Sequence, residues 1–125
     1  MIPTFTATLV QGRPITVRSG GRYRSDFVFV GDVVDATERA LLRDVHGIFN
    51  VGSGTTSSSL EIAEALVALT GASRDLLVVE PPAVGAVPFG FAPLDITRAR
   101  AQLGYAPRSI NDALAAYVDW YRSRR

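Results

Sequence analysis

Apolar positions along the chain recur in short blocks whose spacing changes from helical to strand-like and back, an α/β pattern. Residues 4–10 carry Phe5, Ala7, Leu9 and Val10 ahead of Gly12 and Pro14, the residue types that follow a helix end, which predicts a short opening helix. Ile15 and Val17 read as a brief strand before the Gly20-Gly21 turn, and Phe27-Val28-Phe29-Val30 as a second β-branched and aromatic run. From Asp32 the period changes: Val33, Ala36, Thr37, Ala40 and Leu41 predict an amphipathic helix closing near Arg43. Residues 48–51 then read as a strand ending at Gly52-Ser53-Gly54. Ser58 and Glu61 have capping-box spacing and open a helix with Ile62, Ala63, Leu66 and Leu69 inward, closed by Gly71.

Leu76-Leu77-Val78-Val79 is too short for a helix between Gly71 and Pro81 and predicts a strand buried on both faces. Residues 81–93 hold four prolines and no charge, so neither helix nor central strand persists there. An uncharged loop of this kind is expected to lie over a pocket or a partner surface. Asp95 opens a helix with Ile96, Ala99 and Leu103 inward and Gly104 as its stop. Ser109 and Asp112 open the last helix, whose apolar residues run from Ile110 to Tyr121 at helical spacing, with Arg122, Arg124 and Arg125 at the end that favours cations.

Composition narrows the chemistry. The 125 residues suffice for one globular domain, 1–125, and the net charge of +1 gives no reason to expect nucleic acid or an anionic membrane as partner. Cysteine is absent, which removes disulfides, thiolate metal sites and cysteine nucleophiles. All 13 basic residues are arginine, so Schiff-base chemistry and a tyrosine–lysine proton relay are impossible within these residues. The single histidine, His46, cannot build a multi-histidine metal site and reads as a turn or cap residue. No run of about 20 apolar residues and no signal-peptide pattern is present, so a soluble cytoplasmic protein is the expectation.

Three features invite a functional reading. The Gly52-x-Gly54-x-x-Ser57 stretch between two predicted strands, with Glu80 ending the second, has the outline of a dinucleotide-binding β-α-β unit at 48–80. Its third glycine is missing, which favours a structural strand-to-helix turn. Arg18, Arg22 and Arg24 form the one basic cluster, able to grip a phosphate or simply to face solvent. Asp26 and Asp32 read as a turn residue and a helix N-cap.

Five ordered segments resemble one family, the extended short-chain dehydrogenases that include NAD-dependent sugar epimerases and dehydratases. Met1-Ile2-Pro3-Thr4-Phe5 resembles their VIPTF segment, Gly12 to Val17 their GxPxTV, and Asp26 to Val33 their DFVYVDDV. Phe49 to Gly54 with the serine-capped helix is similar to YNVGSG, and Asp95 to Ala99 with Leu103 to Pro107 to DxSKA and LGWxP. The resemblance covers the C-terminal portion of such an enzyme and implies an α/β fold of short strands with four to five helices. The family's cofactor-binding glycine motif and tyrosine–lysine pair belong to the preceding part.

What the resemblance implies is a substrate-domain half that contributes pocket walls and is not catalytically competent alone. No catalytic, cofactor-binding or metal residue is then expected on this chain, and NAD(P) would bind only once an N-terminal half completes the protein. Pocket-lining residues would be Arg24, Asp26, Phe27, Val84, Val87, Phe89 and Phe91. Where family members carry an arginine before the aspartate, Ser25 stands here, and their RPGD loop corresponds to Ala83-Val84-Gly85-Ala86. Two missing arginine forks, at roughly 1.5–3 kcal/mol each, would weaken a diphosphate contact and favour an uncharged, sugar-like or apolar substrate. The partner would be a separate NAD-binding chain or further copies of this one. The alternatives are a non-catalytic assembly module and the small nucleotide-binding unit at 48–80.

Overall fold

In the computed structural model, which describes residues 1–87 and 89–124, five helices surround two pairs of very short strands. Pro88 and Arg125, part of the apolar loop and of the basic helix end respectively, lie outside the described residues. Helix α1 (Ile2–Val10) leads to β1 (Ile15–Val17), β2 (Arg24–Ser25) and α2 (Val30–Leu42). Strand β3 (Ser57–Ser58) runs directly into α3 (Ser59–Thr70), followed by β4 (Leu77–Val79), α4 (Thr97–Leu103) and α5 (Ile110–Ser123). Strand β1 pairs with β4 in parallel, Ile15 opposite Leu77, and β2 pairs antiparallel with β3, Arg24 opposite Ser58. The α/β class with five helices agrees with the sequence pattern.

Two apolar clusters hold these elements. The larger joins α1, β1, α3, β4 and α5 through Leu9, Val17, Ile62, Leu66, Leu114 and Val118. The smaller joins α2 to α4 through Ala36, Ile96, Ala99, Leu103 and Tyr105. Each fully buried aliphatic side chain contributes about 1.5–3 kcal/mol by leaving water, so the larger cluster dominates stability. Asp32 and Arg108 bridge towards α5: the Arg108 amide donates to Asp32 Oδ2 at 3.0 Å, its Nε to Oδ1 at 2.8 Å, and its guanidinium lies 4.3 Å from the Phe29 ring centre.

Local signals placed α3 and α5 well. Ser58 accepts from the Glu61 amide at 3.1 Å while Glu61 accepts from the Ser58 amide at 2.6 Å, the reciprocal box expected from the spacing, and Gly71 closes the helix in the left-handed region. Ser109 caps α5 by accepting from the Asp112 amide.

Strand expectations fared worse. Residues 27–29 are not a strand; α2 starts at Val30, and Asp32 sits in its first turn bound to Arg108 instead of serving as N-cap. Residues 48–51 form no ladder. The third run shrinks to β4, whose Leu77 is buried while Val78, on the opposite face, and Val79, at the strand's end, are exposed, so the run is not buried on both faces; among the described residues β4 has β1 as its one neighbouring strand. Asp95 lies just outside α4 and accepts the Thr97 amide at 2.9 Å.

Replacing Ser58 by alanine removes the acceptor for the Glu61 amide in a largely buried corner. The expected loss is about 1 kcal/mol in urea unfolding with an unchanged m-value.

Candidate functional site

Strand β2 is the spine of the site, because two loops distant in sequence converge on the residues in and beside it. Asp26, just after β2, takes the Ser53 amide at 2.7 Å and the Ser53 hydroxyl at 2.6 Å on Oδ1, and the amides of Gly54 and Leu94, both at 3.1 Å, on Oδ2. Burial acts to raise its pKa. The hydrogen bonds from the Ser53 side chain and from the amides of Ser53, Leu94 and Gly54 outweigh that and hold the carboxyl below the usual aspartate value.

The same contacts decide the fate of the glycine loop. Its amides, the groups a pyrophosphate would need, are already occupied by the protein's own carboxylate. A Cβ at Gly52 would sit 2.7 Å from Asp26 Oδ2. The stretch before this loop is no strand, and β3 after it pairs antiparallel with β2, so 48–80 is not a β-α-β unit and the nucleotide-binding alternative fails. Tyr105 completes this structural knot by donating its hydroxyl to the Gly52 carbonyl at 2.8 Å. Burial raises the Tyr105 pKa, with the Asp32, Asp26 and Asp35 carboxylates adding to it, so the phenol stays protonated and bonded.

The apolar loop is tethered to β2 rather than loose. The Arg24 amide donates to the Phe89 carbonyl at 3.3 Å and the Phe91 amide to the Arg24 carbonyl at 3.0 Å, with Gly90 facing Arg24 as an isolated parallel bridge. A Cβ at Gly90 would lie 2.3 Å from the Arg24 carbonyl oxygen, so only glycine permits this approach. The tether sets Phe89 and Phe91 against Tyr23, with ring centres 5.2 and 6.5 Å away, as one aromatic wall.

Phe89 separates two clefts. One, of about 350 Å³, lies between the start of α1, the end of β1 and the loop, lined by Met1, Phe5, Val17, Arg18, Tyr23 and Phe89. The other, of about 440 Å³, is lined by Arg22, Arg24, Thr56 and the Phe89–Pro93 stretch. Arg18 stands almost free at the mouth of the first, its nearest carboxylate Glu80 at 4.0 Å. Arg24 is committed to the start of α3: its guanidinium donates to the Thr56 carbonyl at 2.7 Å and Thr56 Oγ1 at 3.1 Å, and lies 3.3 Å from Glu61.

The seven residues expected to line one pocket are therefore dispersed. Phe89 and Phe91 meet in the aromatic wall, and Arg24 reaches its second cleft. Asp26 is spent on backbone amides. Phe27 faces a different, apolar groove of about 280 Å³ with Ile2, Ile110 and Tyr117. Val84 and Val87 project into solvent and line none of these clefts. Sequence reasoning did not place Phe5 or Tyr23 among the lining residues, and it read Arg18 as part of a basic cluster able to grip a phosphate or face solvent; the signal for Tyr23 was its place within that cluster. Among the described residues no group of three His, Asp or Glu could hold a metal ion, and no helix is long and apolar enough to cross a membrane.

Residues 1–52 match the NAD dependent epimerase/dehydratase family. The whole chain is 33% identical to part of a dTDP-glucose 4,6-dehydratase of Streptomyces niveus, covering 37% of that enzyme. It is 34% identical to a UDP-glucose 4-epimerase of Mycolicibacterium smegmatis over 99% of its own length and 39% of the relative's. Among solved structures, a Thermotoga maritima UDP-glucose 4-epimerase with UDP-glucose superposes with a TM-score of 0.79 at 29% identity, over 98% of this chain and 39% of that one. The Bordetella bronchiseptica enzyme WbmF in complex with NAD+ and UDP gives a TM-score of 0.79 at 26% identity, over 98% and 36%. The chain thus spans well under half the length of the proteins it matches.

Replacing Asp26 by asparagine puts an amide NH2 in place of one oxygen, either the acceptor of the Ser53 amide and hydroxyl or that of the Gly54 and Leu94 amides, and a loss of about 1–3 kcal/mol is expected. Because the folded pKa is lowered, the carboxylate's contribution is complete above the unfolded value near 3.9 and disappears as pH falls through the folded value. Unfolding curves between pH 2 and pH 6 should therefore be flatter for D26N than for the parent. Gly90→Ala should raise the exchange rate of the Phe91 amide by about tenfold or more with little change in melting temperature, since the loop opens locally.

Proposed function

We propose that this chain is the C-terminal, substrate-binding portion of an extended short-chain dehydrogenase of the NAD-dependent epimerase/dehydratase type, the family whose description matches residues 1–52. The hydride- and proton-transfer groups then reside on polypeptide outside these 125 residues. The cleft bounded by Phe5, Val17, Tyr23 and Phe89 is assigned to the ring system of a nucleotide sugar, with the Arg18 guanidinium at its mouth for the attached phosphates. That arrangement of an aromatic wall beside a nearly unpaired arginine carries the reading. The relatives whose structures contain UDP-glucose or UDP support the substrate class.

Several features support catalytic incompetence of the chain by itself. There is no lysine, and the buried tyrosine hydroxyl is bound to the Gly52 carbonyl, so no phenol–amine relay can form here. NAD does not fit this chain's own glycine loop, whose amides are taken by Asp26. The role left to these residues is to bind, orient and shield. Tyr23, Phe89 and Phe91 supply apolar surface, Arg18 and Arg22 supply charge from either side of Phe89, and the Gly90 tether fixes the wall. The missing arginines at Ser25 and Ala83 leave Arg18 as the principal fork, which lowers affinity for a diphosphate without abolishing it.

Calorimetric titration of the purified chain with UDP and, separately, NAD tests the assignment. UDP should bind weakly, NAD should give no saturable heat, and Arg18→Ala should weaken UDP by about tenfold or more, the value of one charge-assisted contact. Millimolar UDP without heat would sink the assignment, as would an R18A chain that binds UDP as the parent does. With UDP-glucose and NAD both present, the chain alone should show no turnover.

A further inference from the structure

Glu80 ends the third apolar run, outside the walls of the clefts described above, yet its backbone is fixed beside one of them. Its amide donates to the Val17 carbonyl at 2.9 Å, and its carbonyl accepts the Gly20 amide at 2.8 Å. Strands β1 and β4 pair in parallel with Val17 opposite Val79, so Arg18 and Glu80, the next residue along each chain, stand side by side. Side chains alternate along such a pair: Val17 is buried, Thr16 and Val78 face outward, and Arg18 and Glu80 come out on that outer face. The left-handed turn through Ser19, Gly20 and Gly21, with φ of 54°, 65° and 69°, begins directly after Arg18 and delivers the Gly20 amide to Glu80.

The two charged groups meet loosely. Arg18 Nε lies 4.0 Å from Glu80 Oε2, with the side chains 85% and 53% exposed, too long for a hydrogen bond and worth little to stability. Neither side chain makes a hydrogen bond among the described residues. Arg18 lines the cleft beside Tyr23 and Phe89, and Glu80 does not. An anion taken by Arg18 at the cleft mouth therefore arrives beside a carboxylate whose backbone is pinned.

We propose that Glu80 is a charge-selectivity residue for this cleft: it penalises the extra charge of a free terminal phosphate, and so favours a diphosphate esterified on both phosphates, as in a nucleotide sugar, over the free nucleoside diphosphate. This rests on the assignment of Arg18 to the ligand's phosphates, and it names the feature that separates the intact substrate from a nucleotide without its sugar. A terminal phosphate loses its second proton at about pH 6, so near neutral pH the free diphosphate brings about one more negative charge. One unit charge against another at roughly 6 Å in water changes a binding constant by about threefold. Arg18 and Glu80 together carry no net charge to offset that difference.

The test is a set of calorimetric titrations at low salt and about pH 7.5, with UDP and with UDP-glucose, into the parent chain, Glu80→Gln and Glu80→Asp. Contacts to glucose cancel when the ratio of the two affinities is compared between variants. E80Q should tighten UDP about threefold more than it tightens UDP-glucose. E80D keeps the charge and should hold the ratio within about twofold of the parent's, and salt at about 0.5 M should erase the difference between E80Q and the parent. Both side chains being exposed, the melting temperature should move by no more than about 2 °C in either variant. A ratio in E80Q equal to the parent's, a loosening of UDP by E80Q, or a shift in E80D as large as that in E80Q overturns the proposal. Those results leave the phosphate assignment standing wherever UDP binding still needs Arg18. No UDP binding by the parent, or binding indifferent to Arg18→Ala, overturns the phosphate assignment and the role of Glu80 with it.

Discussion

One carboxylate organises the functional end of this molecule. Asp26 gathers four hydrogen bonds from two loops distant in sequence, one following the unpaired 48–51 segment and one preceding α4. Each such charge-assisted bond shares in satisfying amides that would otherwise be orphaned in a partly buried turn. Because those amides are satisfied from within, the Gly52-Ser53-Gly54 turn has no capacity left for a phosphate. A motif that could bind an external anion has become a fastening for an internal one.

From that fastening the rest of the site follows by position. With Asp26 holding the end of β2 to both loops, Arg24 one turn of the pleat earlier reaches the start of α3 and simultaneously bridges to Gly90. That bridge turns a proline-rich uncharged loop into a wall that presents Phe89 and Phe91 beside Tyr23. Among the described residues, the loop's outer tip makes no bond to β2, and its Val84 and Val87 face solvent. Charge is distributed around the wall: Arg24 pairs with Glu61, Arg18 lies 4.0 Å from Glu80, and Arg22 lines the second cleft.

The chain's apolar surface is covered unevenly. Its main cluster, from Leu9 to Val118, is enclosed on the side of α1, α3 and α5, whereas the α2 side carries exposed aliphatic side chains and, among the described residues, the extended segment 48–51 has no ladder partner. A stable monomer ordinarily blunts such an edge with charge, proline or a covering helix. Here the exposed side of 48–51 offers Ile48 and Asn50 and no charge.

The sequence alone determined whatever is governed by neighbours a few positions away. The Ser58–Glu61 box, the Gly71 and Gly104 stops, the Ser109 cap and the helical stripes of α3 and α5 are contacts within one turn, so residue type and spacing suffice. The ordered segments also carried the family resemblance, and the absence of lysine settled the missing relay. Tertiary structure decided what depends on a partner far along the chain. Whether 27–29 or 48–51 becomes a strand turns on a neighbouring strand, and the described residues supply none. Whether Asp26 faces a ligand or an amide turns on loops 27 and 68 residues away, and whether Asp32 caps a helix or holds Arg108 turns on a residue 76 positions distant. Side-chain pattern encodes which face is apolar; only the folded chain determines what that face, or that carboxylate, will meet.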